Sequence, residues 1–262
     1  MFIVKLIRTL SHIFKTIVLF IPLVHFGCSQ PEDSTLRVMT FNIHHCEGVD
    51  SVYSVERIAQ LMAEQMPDII LCQEVDRGFS ERSDYEDQPF LLTGMLGYKS
   101  FFGPNINDIY GNLILTRFPF LEVKNIPLPN PENKEPRGVI SAVVNIKGRS
   151  FSLLNTHLCA FSEANRNDQI KYLCKLVKQL TSPVIFGADF NTKPSGQLKP
   201  LLDDCNLIST RRLLKIEEGI DDILVPEYLG KYVIRGKIVE TDISDHAAYW
   251  IDLDLGKILN EK

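Results

Sequence analysis

Short apolar runs alternate with stretches of helical periodicity along most of the chain. No repeat or low-complexity segment interrupts this pattern between Leu36 and Leu253. Runs of four to eight mostly apolar residues, bounded by polar or turn-forming residues, predict β-strands. The predicted strands lie at residues 36–43, 68–75, 113–116, 139–146, 151–158, 184–188 and 247–253.

Two segments have the periodicity of amphipathic helices. Apolar residues recur at helical spacing in residues 55–62, before Pro67, and on one face of residues 166–180. Lys147-Gly148 separates two predicted strands and indicates a tight hairpin. Hairpins mixed with helical crossovers favour a layered α/β fold with mixed sheets and helices outside. The proline-rich residues 127–136 are expected to form a surface loop rather than a domain linker.

The first 28 residues have the features of an export signal. They carry Lys5, Arg8 and Lys15 without an acidic residue, followed by an apolar run at residues 16–24. That run is shorter than the roughly 20 residues of a membrane-spanning helix. Gly27-Cys28 resembles the lipobox of bacterial lipoproteins, so we expect lipidation of Cys28, with an ordinary cleaved signal as the alternative. Residues 29–35 would then be a tether.

The net charge of the chain bears on whether its substrate is a nucleic acid. The whole chain carries a net charge of −5, and loss of the three basic residues in the leader leaves −8. Proteins that bind long nucleic acids usually have basic surfaces, so this charge makes a nuclease less favoured without excluding it.

Without Cys28, five cysteines remain with no motif spacing, and no disulfide framework is expected. Cys72 and Cys174 are expected to be small buried side chains.

Acids, amides and histidines occur at the ends of several predicted strands. Because ligands of α/β sheets gather at strand ends, these side chains could line one cleft. Oxygen ligands without a Cys/His cluster suit Mg²⁺ or Mn²⁺, and histidines beside carboxylates suit proton transfer near neutral pH. Metal-assisted attack of water on a phosphate needs both a bound metal ion and a group that transfers protons. The groups are Asn42, Gln73-Glu74, Asn155-Thr156-His157, Asp189-Phe190-Asn191, Asp221-Asp222 and Ser244-Asp245-His246.

This ordered set of motifs resembles the endonuclease/exonuclease/phosphatase superfamily, over residues 37–253. Arg77-Gly78, Tyr110-Gly111-Asn112 and Glu135-Pro136-Arg137-Gly138 also resemble its small bacterial metal-dependent hydrolase branch. His157 is similar to the histidine of the deoxyribonuclease and sphingomyelinase branches. The resemblance implies a four-layer α/β sandwich, with two mixed β-sheets face to face and helices outside. The catalytic domain would comprise residues 36–256, followed by a C-terminal tail at 257–262.

The resemblance also implies a role for each matching residue. Glu74 would hold the metal ion, Mg²⁺ or Mn²⁺, with Asn42 and Asp245 close by. Asp189 would orient or deprotonate the attacking water, in concert with His246. The remaining roles are phosphate contacts by Asn42, Asn191, His157 and His246, with the imidazole of His246 held by Asp221 or, one residue out of register, by Asp222.

Two further groups bear on binding. Arg137 opens a predicted strand near the site and could clamp a substrate phosphate. His44-His45-Cys46-Glu47 suggests zinc, but neighbouring residues on a strand point to opposite faces, so a shared metal ion is not expected there.

The expected function is divalent-metal-dependent hydrolysis of a phosphoester, most simply a phosphodiester, by a monomeric enzyme. As a probable lipoprotein of the bacterial cell envelope, or else a periplasmic or secreted protein, it would meet a membrane surface through its anchor. A secreted deoxyribonuclease acting on nucleic acid is the first alternative. A lipid-anchored binding protein without catalysis is the second.

Overall fold

The computed structural model describes residues 34–261. The export signal, Cys28 and nearly all of the predicted tether lie outside the described residues. In chain order, the elements are β1 (Thr35–Asn42), α1 (Val55–Gln65), β2 (Ile69–Asp76), α2 (Gln88–Leu96), β3 (Lys99–Ile106), β4 (Tyr110–Thr116), β5 (Phe120–Pro127), β6 (Gly138–Ile146), β7 (Arg149–His157), α3 (Glu163–Val177), β8 (Val184–Asp189), β9 (Leu207–Ser209), α4 (Thr210–Leu213), β10 (Asp221–Pro226), α5 (Glu227–Gly230), β11 (Val233–Val239), β12 (Ala248–Asp254) and α6 (Leu255–Asn260).

The strands form two six-stranded mixed sheets. The first has the order β11-β12-β1-β2-β4-β3 and the second the order β5-β6-β7-β8-β10-β9. Each sheet has one parallel pair at its centre, β1 with β2 and β7 with β8. Since parallel strands end at the same edge, Asn42 lies beside Gln73 in one sheet and His157 beside Asp189 in the other.

Three layers of apolar side chains hold four layers of structure together. One core lies between the sheets, a second contains residues of α1 and α2 with the outer face of the first sheet, and a third contains residues of α3 with the second sheet. The sheets approach closely near Gly187, where a Cβ would lie 2.6 Å from Leu71 Cδ1. The predicted α/β four-layer sandwich with mixed sheets is therefore confirmed.

The hairpin and helix signals have clear local causes. Lys147 and Gly148 both adopt left-handed φ angles, 51° and 90°, which the two-residue turn between β6 and β7 requires. Helix α1 begins after Ser54, whose side chain accepts a hydrogen bond from the Arg57 amide. Helix α3 begins after Ser162, which accepts from the Asn165 amide, three residues earlier than the apolar periodicity predicts.

The C-terminus differs from the predicted tail at residues 257–262. Residues 255–260 form α6, in which Leu255 and Ile258 are buried in the core between the sheets. Apolar side chains at these positions are removed from water by helix formation, which explains the extra element. Within residues 34–261, no helix is long and apolar enough to cross a membrane.

The prediction that the chain has no disulfide is wrong. Cys174 on α3 and Cys205 after β8 are joined, with an S–S distance of 2.09 Å and a Cα–Cα distance of 6.0 Å. Because the two cysteines are 31 residues apart and match no motif, only the tertiary fold reveals their pairing. Cys46, Cys72 and Cys159 are free and buried, as expected for Cys72.

Candidate active site

A cleft of about 270 Å³ opens where β1, β2, β7 and β8 end. This position follows from the two parallel strand pairs, whose carboxyl ends meet at one edge of the sandwich. Most of the predicted site residues line the cleft or contact a residue that does. Its lining comprises Glu74, Phe79, Arg82, Ile106, Tyr110, Glu135, Arg137, His157, Ala160, Phe161, Asp189, Asn191 and His246.

Glu74 lies at an irregularity in the pairing of β2 with β4, between Cys72 and Val75. Its φ angle is +57°, a left-handed value that is uncommon for residues other than glycine. Bulges and left-handed residues cluster at functional sites, where they redirect a side chain. The result is that the carboxylate reaches the cleft, where its Oε1 accepts a hydrogen bond of 3.0 Å from Asn42 Nδ2.

Asn42 joins the two carboxylates that the sequence places on different sheets. Its Nδ2 donates to Glu74 Oε1 at 3.0 Å and to Asp189 Oδ2 at 3.1 Å, while its Oδ1 accepts from the backbone N–H of His44. In this arrangement both amide hydrogens of Asn42 are taken up by the two carboxylates, so Asn42 holds Glu74 and Asp189 relative to each other. Its substrate contact and its metal ligation stay predictions.

Three polar side chains of the site surround Asp189 Oδ2. Besides Asn42, it lies 3.3 Å from His157 Nε2 and 3.8 Å from His246 Nε2. The other oxygen, Oδ1, accepts from the backbone N–H of Asn191 at 2.9 Å. Burial, followed by the negative charge of Asp221, raises the pKa of Asp189 to about 7.

His246 pairs with Asp221 and not with Asp222. Its Nδ1 lies 2.8 Å from Asp221 Oδ2, whereas Asp222, the next residue of β10, accepts hydrogen bonds from Ser209 and Thr210 on the other side of the strand. Burial alone would lower the pKa of His246, but the hydrogen bond and charge of Asp221 outweigh it, and the pKa rises to about 9. His246 is therefore a cation near neutral pH.

His157 is held in one neutral tautomer by Arg137. Arg137 Nη1 lies 3.0 Å from His157 Nδ1, and a guanidinium can only donate, so Nδ1 must accept. The imidazole proton is then on Nε2, which faces Asp189. Burial, followed by the charges of Arg137 and His246, lowers the pKa of His157 well below its usual value.

Arg137 is less accessible than a substrate clamp would need to be. Its side chain is 3% exposed and forms an ion pair of 2.9 Å with Glu135. The guanidinium lines the cleft, and its Nη1 contacts both His157 and Glu135. Its contacts favour a role in holding His157 over the predicted direct contact with a phosphate.

Asn191 is part of the cleft lining, whereas Asp245 is not. Asn191 lines the cleft, and its Nδ2 donates to the carbonyl of Leu158 at 2.9 Å, which leaves the second amide hydrogen for a substrate oxygen. Asp245 is half exposed, and its Oδ1 lies 3.9 Å from His44 Nδ1. Its place beside the metal ligand Glu74 stays a prediction.

Several cleft residues had no role in the sequence prediction. Arg82 makes a bidentate ion pair with the buried Asp76, at 2.8 and 2.6 Å, and its guanidinium lies over the ring of Phe79. Tyr110 begins β4 and is buried beside Arg82. The Tyr110-Gly111-Asn112 motif was the available signal, but it did not reveal which side chain faces the cleft.

A buried amide network supports the cleft from below. Gln73 Nε2 donates to Asn155 Oδ1 at 2.7 Å, and Asn155 Nδ2 donates to the carbonyl oxygens of Cys72 and Leu113, both at 2.9 Å. These bonds link the first sheet to the second directly beneath Glu74 and His157. These hydrogen bonds tie the two halves of the site together, although Gln73 Oε1 has no partner among the described residues.

The sequence matches the model of the Endonuclease/Exonuclease/phosphatase family over residues 39–246. Tyrosyl-DNA phosphodiesterase 2 of Xenopus laevis is 25% identical over 172 residues, which are 63% of this chain and 43% of that protein. The Danio rerio protein of the same name is 24% identical over 173 residues. The chain thus matches less than half the length of these relatives.

Solved structures share the fold. An endonuclease/exonuclease/phosphatase from Beutenbergia cavernae aligns with a TM-score of 0.71 and 22% identity, over 85% of this chain and 72% of that one. A mannosyl-6-phosphatase from Bacteroides thetaiotaomicron aligns with a TM-score of 0.68 and 16% identity, over 82% and 98%. The predicted class, a divalent-metal-dependent phosphoester hydrolase, agrees with these findings. The chain belongs to the Endonuclease/Exonuclease/phosphatase family.

Proposed function

We propose that this chain hydrolyses a phosphodiester with the aid of a divalent cation, Mg²⁺ or Mn²⁺. The observation that carries the proposal is the position of Asp189 Oδ2, which lies within 3.8 Å of donors on Asn42, His157 and His246. The carboxylate can accept a proton from the water that attacks the phosphate. The surrounding hydrogen-bond donors can stabilise the negative charge of the phosphate oxygens.

The donor set suits a hard divalent cation. Glu74 reaches the cleft with one of its oxygens on the Asn42 amide, and Asp189 carries the second carboxylate. Carboxylate oxygens in a cleft open to water are typical ligands of Mg²⁺ and Mn²⁺. Glu74 would hold the ion, with Asp189 nearby. The cation would supply charge stabilisation of the phosphate oxygens.

The chain's own residues account for proton transfer and phosphate binding. Asp189, with a pKa near 7, can take a proton from the attacking water as its oxygen bonds to phosphorus and the ester P–O bond breaks. The ester oxygen leaves as an alkoxide and takes up a proton from solvent. The cationic His246 donates from Nε2 to one phosphate oxygen, and neutral His157 donates from Nε2 to another. Asn191 adds its second amide hydrogen to the same group of donors, while Asn42 holds Glu74 and Asp189 in place.

A diester is supported over a monoester by two observations. The curated relatives are named as phosphodiesterases, although a structural neighbour is a mannosyl-6-phosphatase. The cleft is also bordered by Phe161, whose side chain is 73% exposed and could pack against an ester substituent. A diester has a second organic substituent, which can pack there while the first one leaves.

A deoxyribonuclease is the second candidate. The relatives' name includes DNA as substrate, and exposed aromatic rings are typical stacking platforms for bases. The net charge of −8 without the leader opposes tight binding of long duplexes, so short or single-stranded ends are the favoured nucleic-acid substrates.

Export and lipidation of Cys28 remain part of the proposal. The disulfide between Cys174 and Cys205 supports an oxidising compartment, because disulfides persist mainly outside the cytosol. Palmitate labelling of wild type and Cys28→Ala tests the anchor. Labelling that persists in the variant, or a mature protein that retains Met1, contradicts it.

The assay for catalysis is release of p-nitrophenol from bis-p-nitrophenyl phosphate, compared with the monoester p-nitrophenyl phosphate. We expect faster release from the diester, with EDTA abolishing it and Mg²⁺ or Mn²⁺ restoring it. Glu74→Gln and His246→Ala should each remove the activity without loss of fold, whereas the exposed Glu64→Gln should retain it. No metal-dependent turnover in wild type would favour a catalytically silent binding protein.

A further inference from the structure

The segment after β1 brings two adjacent histidines together. Residues 44–46 form a turn in which His44, His45 and Cys46 have φ angles of 44°, 42° and 65°. The sequence expectation that His44 and His45 point to opposite faces of a strand is therefore wrong. Their ring centroids lie 4.3 Å apart, and a nitrogen of each ring and a carboxylate oxygen of Glu74 all lie within 4.8 Å of one another.

Glu47 orients both imidazoles. Its backbone carbonyl lies 2.9 Å from His44 Nδ1, and its carboxylate Oε2 lies 3.2 Å from His45 Nε2. A carbonyl or carboxylate oxygen can only accept, so these two ring nitrogens carry the protons. The lone pairs are then on His44 Nε2 and His45 Nδ1. Donation of the other ring N–H to such an oxygen is the arrangement found behind metal-bound histidines.

The free nitrogen of His45 is buried. The side chain is 8% exposed, and Nδ1 has no hydrogen-bond partner among the described residues. A buried acceptor without a partner destabilises the fold unless a ligand occupies it. Gln88 donates to the His45 carbonyl at 2.6 Å and holds the backbone in place, so the imidazole cannot easily turn toward water.

The charges around the pair favour a cation. Glu74 and Glu47 are in contact with the group, and Asp245 Oδ1 lies 3.9 Å from His44 Nδ1. The positive charge that acts on His45 comes from Arg82, whose guanidinium is paired with Asp76 at 2.6 and 2.8 Å. Two imidazoles and a carboxylate are softer donors than the oxygens of Glu74 and Asp189, and they suit Zn²⁺ above Mg²⁺.

We propose that His44, His45 and Glu74 form a transition-metal site for Zn²⁺, adjoining the hydrolytic centre through the shared carboxylate of Glu74. Tetrahedral zinc with nitrogen ligands at about 2.0 Å needs donor atoms roughly 3.3 Å apart, so the three groups close by small side-chain rotations. Water would fill the remaining position. The site differs from the oxygen-only Mg²⁺ position in that both histidines belong to it.

Calorimetric titration of Zn²⁺ into the full-length chain, purified without a polyhistidine tag and held at saturating Mg²⁺, tests the proposal. Wild type should bind one equivalent. His44→Gln and His45→Gln should each weaken Zn²⁺ binding at least tenfold, and X-ray absorption at the zinc edge should show two imidazoles per ion. Glu64→Gln is the control, because it removes an exposed carboxylate of α1 that is not part of the site, and it should leave Zn²⁺ affinity within about twofold.

Zn²⁺ binding that is unchanged in both His44→Gln and His45→Gln overturns the proposal. Complete displacement of Zn²⁺ by Mg²⁺ also overturns it, because the two ions would then share one position. His44 is partly exposed, so His44→Gln keeps the test valid if His45→Gln fails to fold, which circular dichroism detects. The titration involves no turnover, so failure of the hydrolysis assay and failure of this site are separate results.

Discussion

His246 Nδ1 lies 2.8 Å from Asp221 Oδ2, and Asp222, the following residue, is directed away from the cleft toward Ser209. We predict that Asp221→Asn lowers kcat by roughly 10²-fold or more, because His246 loses the carboxylate that orients it and stabilises its charge. The pKa of His246, about 9 in the native protein, should fall toward 6.5.

The pH–rate profile measures this change. Activity that depends on charged His246 is lost as the pH rises through its pKa, so the alkaline limb should move to lower pH in Asp221→Asn. Asp222→Asn is the control and should leave that limb in place. If Asp222→Asn moves the limb and Asp221→Asn does not, the pairing in solution is the reverse of that in the structure.

Arg137 fixes the tautomer of His157, so its removal should change the proton position as well as the rate. Arg137→Met is expected to lower kcat about tenfold or more, because only Asp189, which is partly protonated near pH 7, then favours the proton on Nε2. Arg137→Lys should recover part of the activity, since an ammonium can also donate to Nδ1.

Nitrogen-15 shifts of the His157 ring report the tautomer directly. Wild type should show a protonated Nε2 and an unprotonated Nδ1, and Arg137→Met should show a mixture. If KM rises while kcat and the ring shifts stay at wild-type values, Arg137 binds substrate directly, as the sequence first suggested.

Most strands with uniform burial were predicted. Strands β1, β2 and β8 are almost wholly buried and appear as continuous apolar runs. Strand β10 is as buried but was not predicted, because it begins with two aspartates. Strands β5 and β11 were not predicted either, since they have mostly exposed or half-buried residues and a weak alternation. Nor was α2, whose apolar residues do not gather on one face. Edge strands and short helices depend on tertiary contacts that no local pattern records.

The candidate site, like the fold, could be predicted from the sequence only in part. Strand ends converge because the strands are parallel, so Asn42, Glu74, His157 and Asp189 could be placed together from the sequence. The direction of the Asn42 amide could not, because it depends on hydrogen bonds from two different sheets. Nor could the left-handed backbone of His44 and His45, which no glycine marks.

The buried carboxyl of Asp222 should make stability depend on pH. Burial raises its pKa from 3.8 to about 6, despite hydrogen bonds from Ser209 and the Ile223 amide. A carboxyl with a raised folded-state pKa stabilises the fold fully below its unfolded pKa and loses that contribution as the pH rises through 6. Asp222→Asn has no carboxyl to ionise at this position, so this pH-dependent loss of stability should be absent from the variant.

Urea unfolding at pH 4, 5, 6 and 7 measures the effect. The free energy of unfolding of Asp222→Asn, relative to wild type, should increase between pH 4 and 7. Contributions from other groups, including Asp189, are present in both proteins and cancel in the difference. A difference that is constant over this range would mean that Asp222 is ionised at its ordinary pKa in the fold.

The bond between Cys174 and Cys205 closes a loop of 31 residues that includes β8 and Asp189. Loss of such a link typically lowers the free energy of unfolding by roughly 3–4 kcal/mol, through greater freedom of the unfolded chain. The double variant Cys174→Ala with Cys205→Ser should show this loss, and reductant should lower wild type to the same level. Four thiols titrated in the denatured, non-lipidated full-length chain, out of six cysteines, would confirm the bond, and six would contradict it.

Phe161 is placed to bind the organic part of the substrate. Its side chain is 73% exposed at the edge of the cleft, and its loop is held by Arg166, which donates to the carbonyls of Cys159 and Ala160 at 2.8 and 3.1 Å. An aromatic contact of this kind contributes about 1 kcal/mol, or roughly a fivefold change in binding. We expect Phe161→Ala to raise KM for bis-p-nitrophenyl phosphate by that factor with little change in kcat.

Phe90→Ala is a matched control, because Phe90 on α2 is equally exposed and does not line the cleft. It should leave both kinetic constants unchanged. Methyl p-nitrophenyl phosphate separates the two substituents, since a ring remains only on the leaving group. If Phe161 contacts the retained ester group, its loss should raise KM for the bis-aryl ester and not for the methyl ester. Equal effects on both substrates would place the ring against the leaving group, and no effect on either would remove Phe161 from the binding site.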